Sequence, residues 1–154
     1  MTGLGSEAIL DHRQLARVLL LLFCVAQVVA TPVIDFNRTH ATNPLWTGHA
    51  RFHVVWQIFS QCFFSVLAGW LVWHRGPGID ARFGWATAIL AIPLFGFLAA
   101  TITRSRYGGA LYDSNGILPV SLTVVRKRIE VDTNLVVVLV GLLVLAGIVL
   151  VYGW

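Results

Sequence analysis

The chain has 154 residues, of which 57% are hydrophobic and only 12% charged, about half the charged share of a soluble domain. A mean hydropathy of +0.78 excludes an ordinary water-soluble globule. The formal charge of +4 requires no nucleic-acid partner, because Arg and Lys collect in the loops of membrane proteins beside anionic headgroups.

Apolar runs of about 18 residues or more are candidate membrane helices, since about 20 residues rising 1.5 Å each cross about 30 Å of hydrocarbon. Four such runs are present, at about 15–33, 50–73, 83–102 and 135–152. They predict an all-α fold, a four-helix transmembrane bundle filling one integral membrane domain over 1–154. The expected location is multi-pass in a membrane, with a bacterial inner membrane as the specific expectation and membrane lipid as a constant partner.

Residues 1 to 14 are polar and Gly-containing and read as a surface segment. Arg13 and Arg17 before an apolar run ending Val-Val-Ala at 28–30 also resemble a secretory signal. We read the run as a retained span; Phe23 before Cys24 spoils a lipoprotein cleavage site. Cys24 and Cys62 fall in different spans, offer no metal spacing or disulfide framework, and read as small packing residues. Pro32 and the region of Asp35 are expected to end the first helix.

The connection after it is long and polar. Asn43-Pro44 signals a turn, Trp46 suits an interfacial anchor, and Thr47 is an expected N-cap for the second helix. Arg-Gly-Pro-Gly at 75–78 marks a tight turn. Pro93 is expected to kink the third span. A second long connection, 104–132, contains Tyr-Gly-Gly-Ala-Leu-Tyr-Asp-Ser-Asn-Gly at 107–116. Ile117 to Val125 is apolar but too short to cross, which suggests a re-entrant or interfacial segment. The fourth span carries no charge and suits a lipid-facing position.

A four-span topology puts both long connections at one mouth of the bundle. Arg38, Arg51, Arg104, Arg106, Arg126, Lys127 and Arg128 belong to that side; Arg13, Arg17, Arg75 and Arg82 belong to the other. The excess favours a cytoplasmic mouth, although two arginines flank the first helix at each end.

The segment 35–57, DFNRTHATNPLWTGHARFHVVWQ, concentrates the polar residues that membrane helices do not need. Ionisable groups at such a boundary mark a functional site by default. His49 and His53 are one helical turn apart, and Gln57 and Gln61 continue the row inward. That row could hold a metal, or His53 alone could serve as an axial haem ligand; the alternative is a hydrogen-bonded interhelical seam. Arg51 between the histidines could take an anionic group such as a haem propionate, or snorkel to headgroups.

Asp35, Asn37, His40 and Asn43 could orient or line the site, or could build the loop through side-chain to backbone bonds. Tyr107, Tyr112, Asp113 and Asn115 could close the site from the later connection or form an interfacial turn. His12 and His74 are assigned no role. The sequence has no phosphate loop, no Gly-x-Ser-x-Gly elbow, and too few His and Glu for a membrane di-iron site.

The stretch His49-Ala50-Arg51-Phe52-His53, opening the second of four spans, resembles styrene oxide isomerase, whose aromatic-Ala-Arg-Ala-His segment supplies the axial histidine of haem b. That resemblance implies haem ligation by His53, with His49 in place of the aromatic residue. It also implies rearrangement of an epoxide to an aldehyde by a Lewis-acidic iron. Gly108-Gly109-Ala110-Leu111 is loosely similar to that family's loop after the third helix. Phe59 stands where the family has an asparagine, and the third span has no Tyr, which points away from styrene oxide itself as substrate. The run Asn43-Pro44, Trp46, His49-Ala50-Arg51-Phe52-His53 is also similar to a group of small bacterial and fungal membrane proteins. That likeness implies a shared site and no particular activity.

The expected function is a membrane enzyme with a histidine-held haem b or metal centre, acting on a small lipophilic substrate, foremost as an epoxide isomerase. Its residues would be His53, Gln57 and Tyr107 for catalysis, and His53, His49 and Arg51 for the cofactor. A homo-oligomer is expected, because four spans offer little interior. The alternative is a non-enzymatic accessory or lipophile-binding protein whose histidines form an interhelical polar seam; in place of haem, the cofactor alternatives are a divalent metal ion or none.

Overall fold

A computed structural model describes residues 11–153. The reading of 1–10 as a surface segment lies outside the described residues. Four helices run α1 His12–Asp35, α2 Gly48–Trp73, α3 Ile79–Thr103 and α4 Thr133–Gly153. All four are long and apolar enough to cross a membrane, so the chain is an all-α, multi-pass integral membrane bundle. Each helix reaches the predicted bound or passes it by up to four residues.

α1 and α3 each pack along both α2 and α4, so the helices form an up-down-up-down ring. The tight core lies toward one end, where Ala16, Leu20 and Cys24 of α1 meet Ala68 and Val72 of α2, Phe83, Ala86 and Leu90 of α3, and Leu145 and Ile148 of α4. Small residues let the backbones approach: a Cβ built on Gly69 would sit 3.7 Å from the Cys24 Cβ.

Polar ties close the same end. Asp80 Oδ1 accepts from Tyr152 Oη at 2.6 Å and from Arg13 Nη1 at 3.1 Å, joining α1, α3 and α4. The Tyr152 ring stacks on Phe83 with centroids 3.7 Å apart. Arg17 Nη2 donates to the Val72 carbonyl at 2.7 Å. That carbonyl is one of the four that α2 leaves unpaired at its negative C-terminal end.

The α2–α3 turn holds Gly76 at φ +116° and Gly78 at φ +76°, conformations that a Cβ disfavours. Arg82 reaches back into this turn and donates to the carbonyls of Pro77 and His74.

α1 does not stop at Pro32 but runs on to Asp35. Proline cannot bond the carbonyl four residues earlier, so Val28 O is freed. The Cys62 thiol of α2 donates to that oxygen at 3.8 Å, giving the cysteine a local role beyond filling space. Thr47 caps α2 as expected, its Oγ1 accepting from the Ala50 N–H at 3.2 Å.

The apolar run 117–125 does not form a re-entrant segment. Its second half is strand β1, Val120–Val124, paired antiparallel with β2, Lys127–Val131. Alternation sorts the hairpin into an apolar face of Val120, Leu122, Ile129 and Val131, and a polar face of Ser121, Thr123, Arg128 and Glu130. A crossing of the membrane by so short a piece would leave edge N–H and C=O groups in hydrocarbon. Pairing outside the hydrocarbon removes that cost.

Candidate functional site at the histidine end

Both long connections lie at the end of the bundle away from the tight core, and among the described residues one side-chain hydrogen bond joins them. Trp46 Nε1 donates to Asp113 Oδ2 at 2.9 Å. Asp113 Oδ1 accepts from the Asn115 backbone N–H at 2.8 Å. These donors, the Asn115 N–H foremost and the Trp46 indole next, hold the Asp113 carboxyl below its usual range.

The first connection is a compact polar knot. Asn43 is fully buried; its Nδ2 donates to the Thr39 carbonyl and its Oδ1 accepts from the Leu45 N–H. Asn37 Nδ2 donates to the Ile34 and Val33 carbonyls, capping α1, and its Oδ1 accepts from Thr39. These two asparagines therefore build the loop. His40 is shared more widely: its Nδ1 is 2.8 Å from Thr39 Oγ1 and 3.8 Å from Asp35 Oδ1, and its ring meets Trp46 edge-on at 5.6 Å. A continuous chain of contacts thus runs Asp35–His40–Trp46–Asp113–Asn115.

The histidine pair is separate from that chain. His49 and His53 Nε2 atoms lie 3.1 Å apart, one donating and the other accepting in the neutral rings. Both side chains are exposed, as is Gln57. Gln61, in contrast, reaches into the bundle, where its Oε1 accepts from Thr31 Oγ1 of α1 at 3.2 Å.

The interhelical seam that the row offered as an alternative forms only at Gln61, for a geometric reason. Four residues at 3.6 per turn overshoot a turn by about 40°, so three steps from Gln61 to His49 sweep about 120°. The row begins against α1 and ends on the outside of the bundle. Thr31, its partner on α1, was not signalled by the sequence except as a hydroxyl one position before Pro32.

Aromatic rings flank the pair on the same outward side. The Phe52 ring centroid is 6.0 Å from that of His53, and Trp56 is at 5.7 Å. Phe52 is 63% and Trp56 59% exposed. Arg51 is half-buried between the histidines, and its guanidinium has no hydrogen bond among the described residues.

The later tyrosines do not reach the pair. Tyr107 Oη donates to the Ala100 carbonyl at 2.8 Å, closing the end of α3, and Tyr112 stays exposed without a hydrogen bond among the described residues.

No family model, no curated protein and no solved structure matches the chain. The site is read from its own geometry.

Two nitrogens bound at about 2.0–2.1 Å to one ion lie about 2.9–3.4 Å apart for octahedral to tetrahedral angles. The separation of 3.1 Å suits such a pair. Among the described residues, however, no third His, Cys, Asp or Glu joins it. A bare ion would draw two protein donors here, whereas a haem brings four nitrogens of its own and asks the protein for one axial ligand. His53, one turn deeper than His49 and set between two aromatic rings, is the residue suited to that role.

Proposed function

We propose that the chain is a haem b-dependent membrane enzyme that isomerises a small lipophilic epoxide, acting in the inner membrane of a bacterium. The observation that carries this reading is the outward-facing His53 imidazole, flanked by Phe52 and Trp56 and paired with only one other donor. Bound there, haem would supply a Lewis-acidic iron able to polarise an epoxide oxygen toward an aldehyde product.

The remaining roles belong to the chain. His53 would ligate through Nε2, giving up its contact with His49. Phe52 and Trp56 would lie beside a flat apolar ring system and keep water away. Arg51, without a partner of its own, would meet a propionate as a bidentate donor. Gln57, one turn below His53 and without a side-chain hydrogen bond among the described residues, would orient a polar substrate atom. A second copy of the chain against this face would cover its outer side, in keeping with the expected homo-oligomer.

Absorbance spectra and metal analysis of detergent-purified protein expressed with ample haem test this reading. A Soret band with stoichiometric iron, kept in His49→Ala and lost in His53→Ala, supports it and makes epoxide isomerisation the next assay. Metal without the band would favour a divalent ion shared by His49 and His53. Folded protein with neither would favour an accessory or lipophile-binding role. The Thr31–Gln61 bond supports that second reading, since it shows that part of the polar row serves as interhelical seam.

A further inference from the structure

At the opposite end of the bundle, two open cavities on the outer surface of α1 and α2 adjoin one another. The first is a largely apolar groove of about 400 Å³ lined by Leu21, Cys24, Val25, Val28, Gly69 and Trp73, with the buried Ser65 as its one polar residue. The second, of about 420 Å³, opens at the helix ends between Gln14, Arg17, His74 and Arg75. Leu21 and Trp73 line both, so a cationic mouth lies next to an apolar trough.

The geometry points to a binding site for one anionic phospholipid, its phosphate at Arg17 and Arg75 and one acyl chain in the groove. The charge is one-sided. Among the described residues no carboxylate lines the mouth, and the nearby Asp80 is engaged by Arg13 and Tyr152. Arg75 makes no side-chain hydrogen bond among the described residues. Arg17 spends Nε and Nη2 on the Val72 carbonyl, which aims its guanidinium and leaves Nη1 over.

The length agrees as well. From Arg17 to Val28 is eleven residues, or about 16 Å of helix, and one leaflet of a hydrocarbon core about 30 Å thick is about 15 Å deep. Trp73, 70% exposed where the two cavities meet, stands at the level of the glycerol backbone, where tryptophan prefers to sit. Apart from the buried Ser65 the trough is lined by apolar residues, so a hydrocarbon chain suits it.

This inference is independent of the histidine site. Its test is binding of phosphatidylglycerol and phosphatidylcholine with identical chains to the detergent-purified full chain, followed by native mass spectrometry. Phosphatidylglycerol should bind at least fivefold more tightly. Arg75→Gln, at an exposed position that folding does not need, should cost about fivefold for phosphatidylglycerol and little for phosphatidylcholine, the worth of one Arg beside anionic lipid. Val25→Trp, which fills the trough from its exposed side, should weaken both lipids. Glycerol phosphate should not compete. Equal affinity for the two lipids, indifference to either substitution, or displacement by glycerol phosphate would each overturn the site, the last in favour of a free-phosphate pocket.

Discussion

Trp46 and Asp113, 67 residues apart in the chain, meet through one hydrogen bond of 2.9 Å, and the two long connections are joined there. Removing either partner should release both. Trp46→Phe and Asp113→Ala are each expected to lower stability. The double variant should lose clearly less than the sum, because the two share one interaction. Thermal unfolding of the four proteins in detergent gives the coupling; simple additivity would show that the contact contributes nothing.

The same carboxylate makes this tie sensitive to acid. The pKa of Asp113 is lowered in the folded protein by the Asn115 N–H and the Trp46 indole. A depressed carboxylate contributes stability that is present above its unfolded pKa, about 3.9, and lost as pH falls through the folded value. Accessibility of the 107–116 segment to a protease active in acid should therefore rise below about pH 4 in the wild type. Asp113→Asn should flatten that rise, and an unchanged profile would count against the tie.

Between α1 and α2, Thr31→Val should remove the donor to Gln61 at nearly constant volume. Interhelical hydrogen bonds in membranes average about 0.6 kcal/mol, so a small loss is expected, and Gln61→Leu should rescue part of it by removing the stranded amide. A loss above about 2 kcal/mol would mean that Thr31 does more than bond Gln61.

The hairpin turn offers a gain of stability. Val125 and Arg126 sit at φ +47° and +64°, a left-handed conformation that costs an L-residue about 1–2 kcal/mol. Two-residue turns of this kind favour Asn-Gly. Replacing Val125-Arg126 by Asn-Gly should slow amide exchange across β1 and β2. Faster exchange would show that the native pair contributes contacts worth more than the strain.

The helices were legible because a span needs only length and apolarity, and all four runs supply both. The cap at Thr47 was legible for a similar reason, a local hydroxyl before a helical run. Harder to read was anything that depends on which way a helix faces. His49, His53, Gln57 and Gln61 form one row in the sequence, yet the row winds from the α1 contact to the outside. Asn37 and Asn43 read more readily as loop builders than as ligands, and their hydrogen bonds bear that out. Tyr152 and Asp80 gave no signal, since their meeting is set by the packing of α3 on α4. The hairpin was hidden because apolar alternation over nine residues resembles a short membrane segment until a pairing partner is known.

The outward aspect of His53 sets how any ligand would arrive. A lipophile dissolved in the bilayer would come upon this edge by sideways diffusion within the leaflet, without crossing water. What the protein would sense is then the ligand's mole fraction among lipids. Adding empty vesicles at constant total ligand would dilute it and empty the site, even though nothing in the aqueous phase had changed.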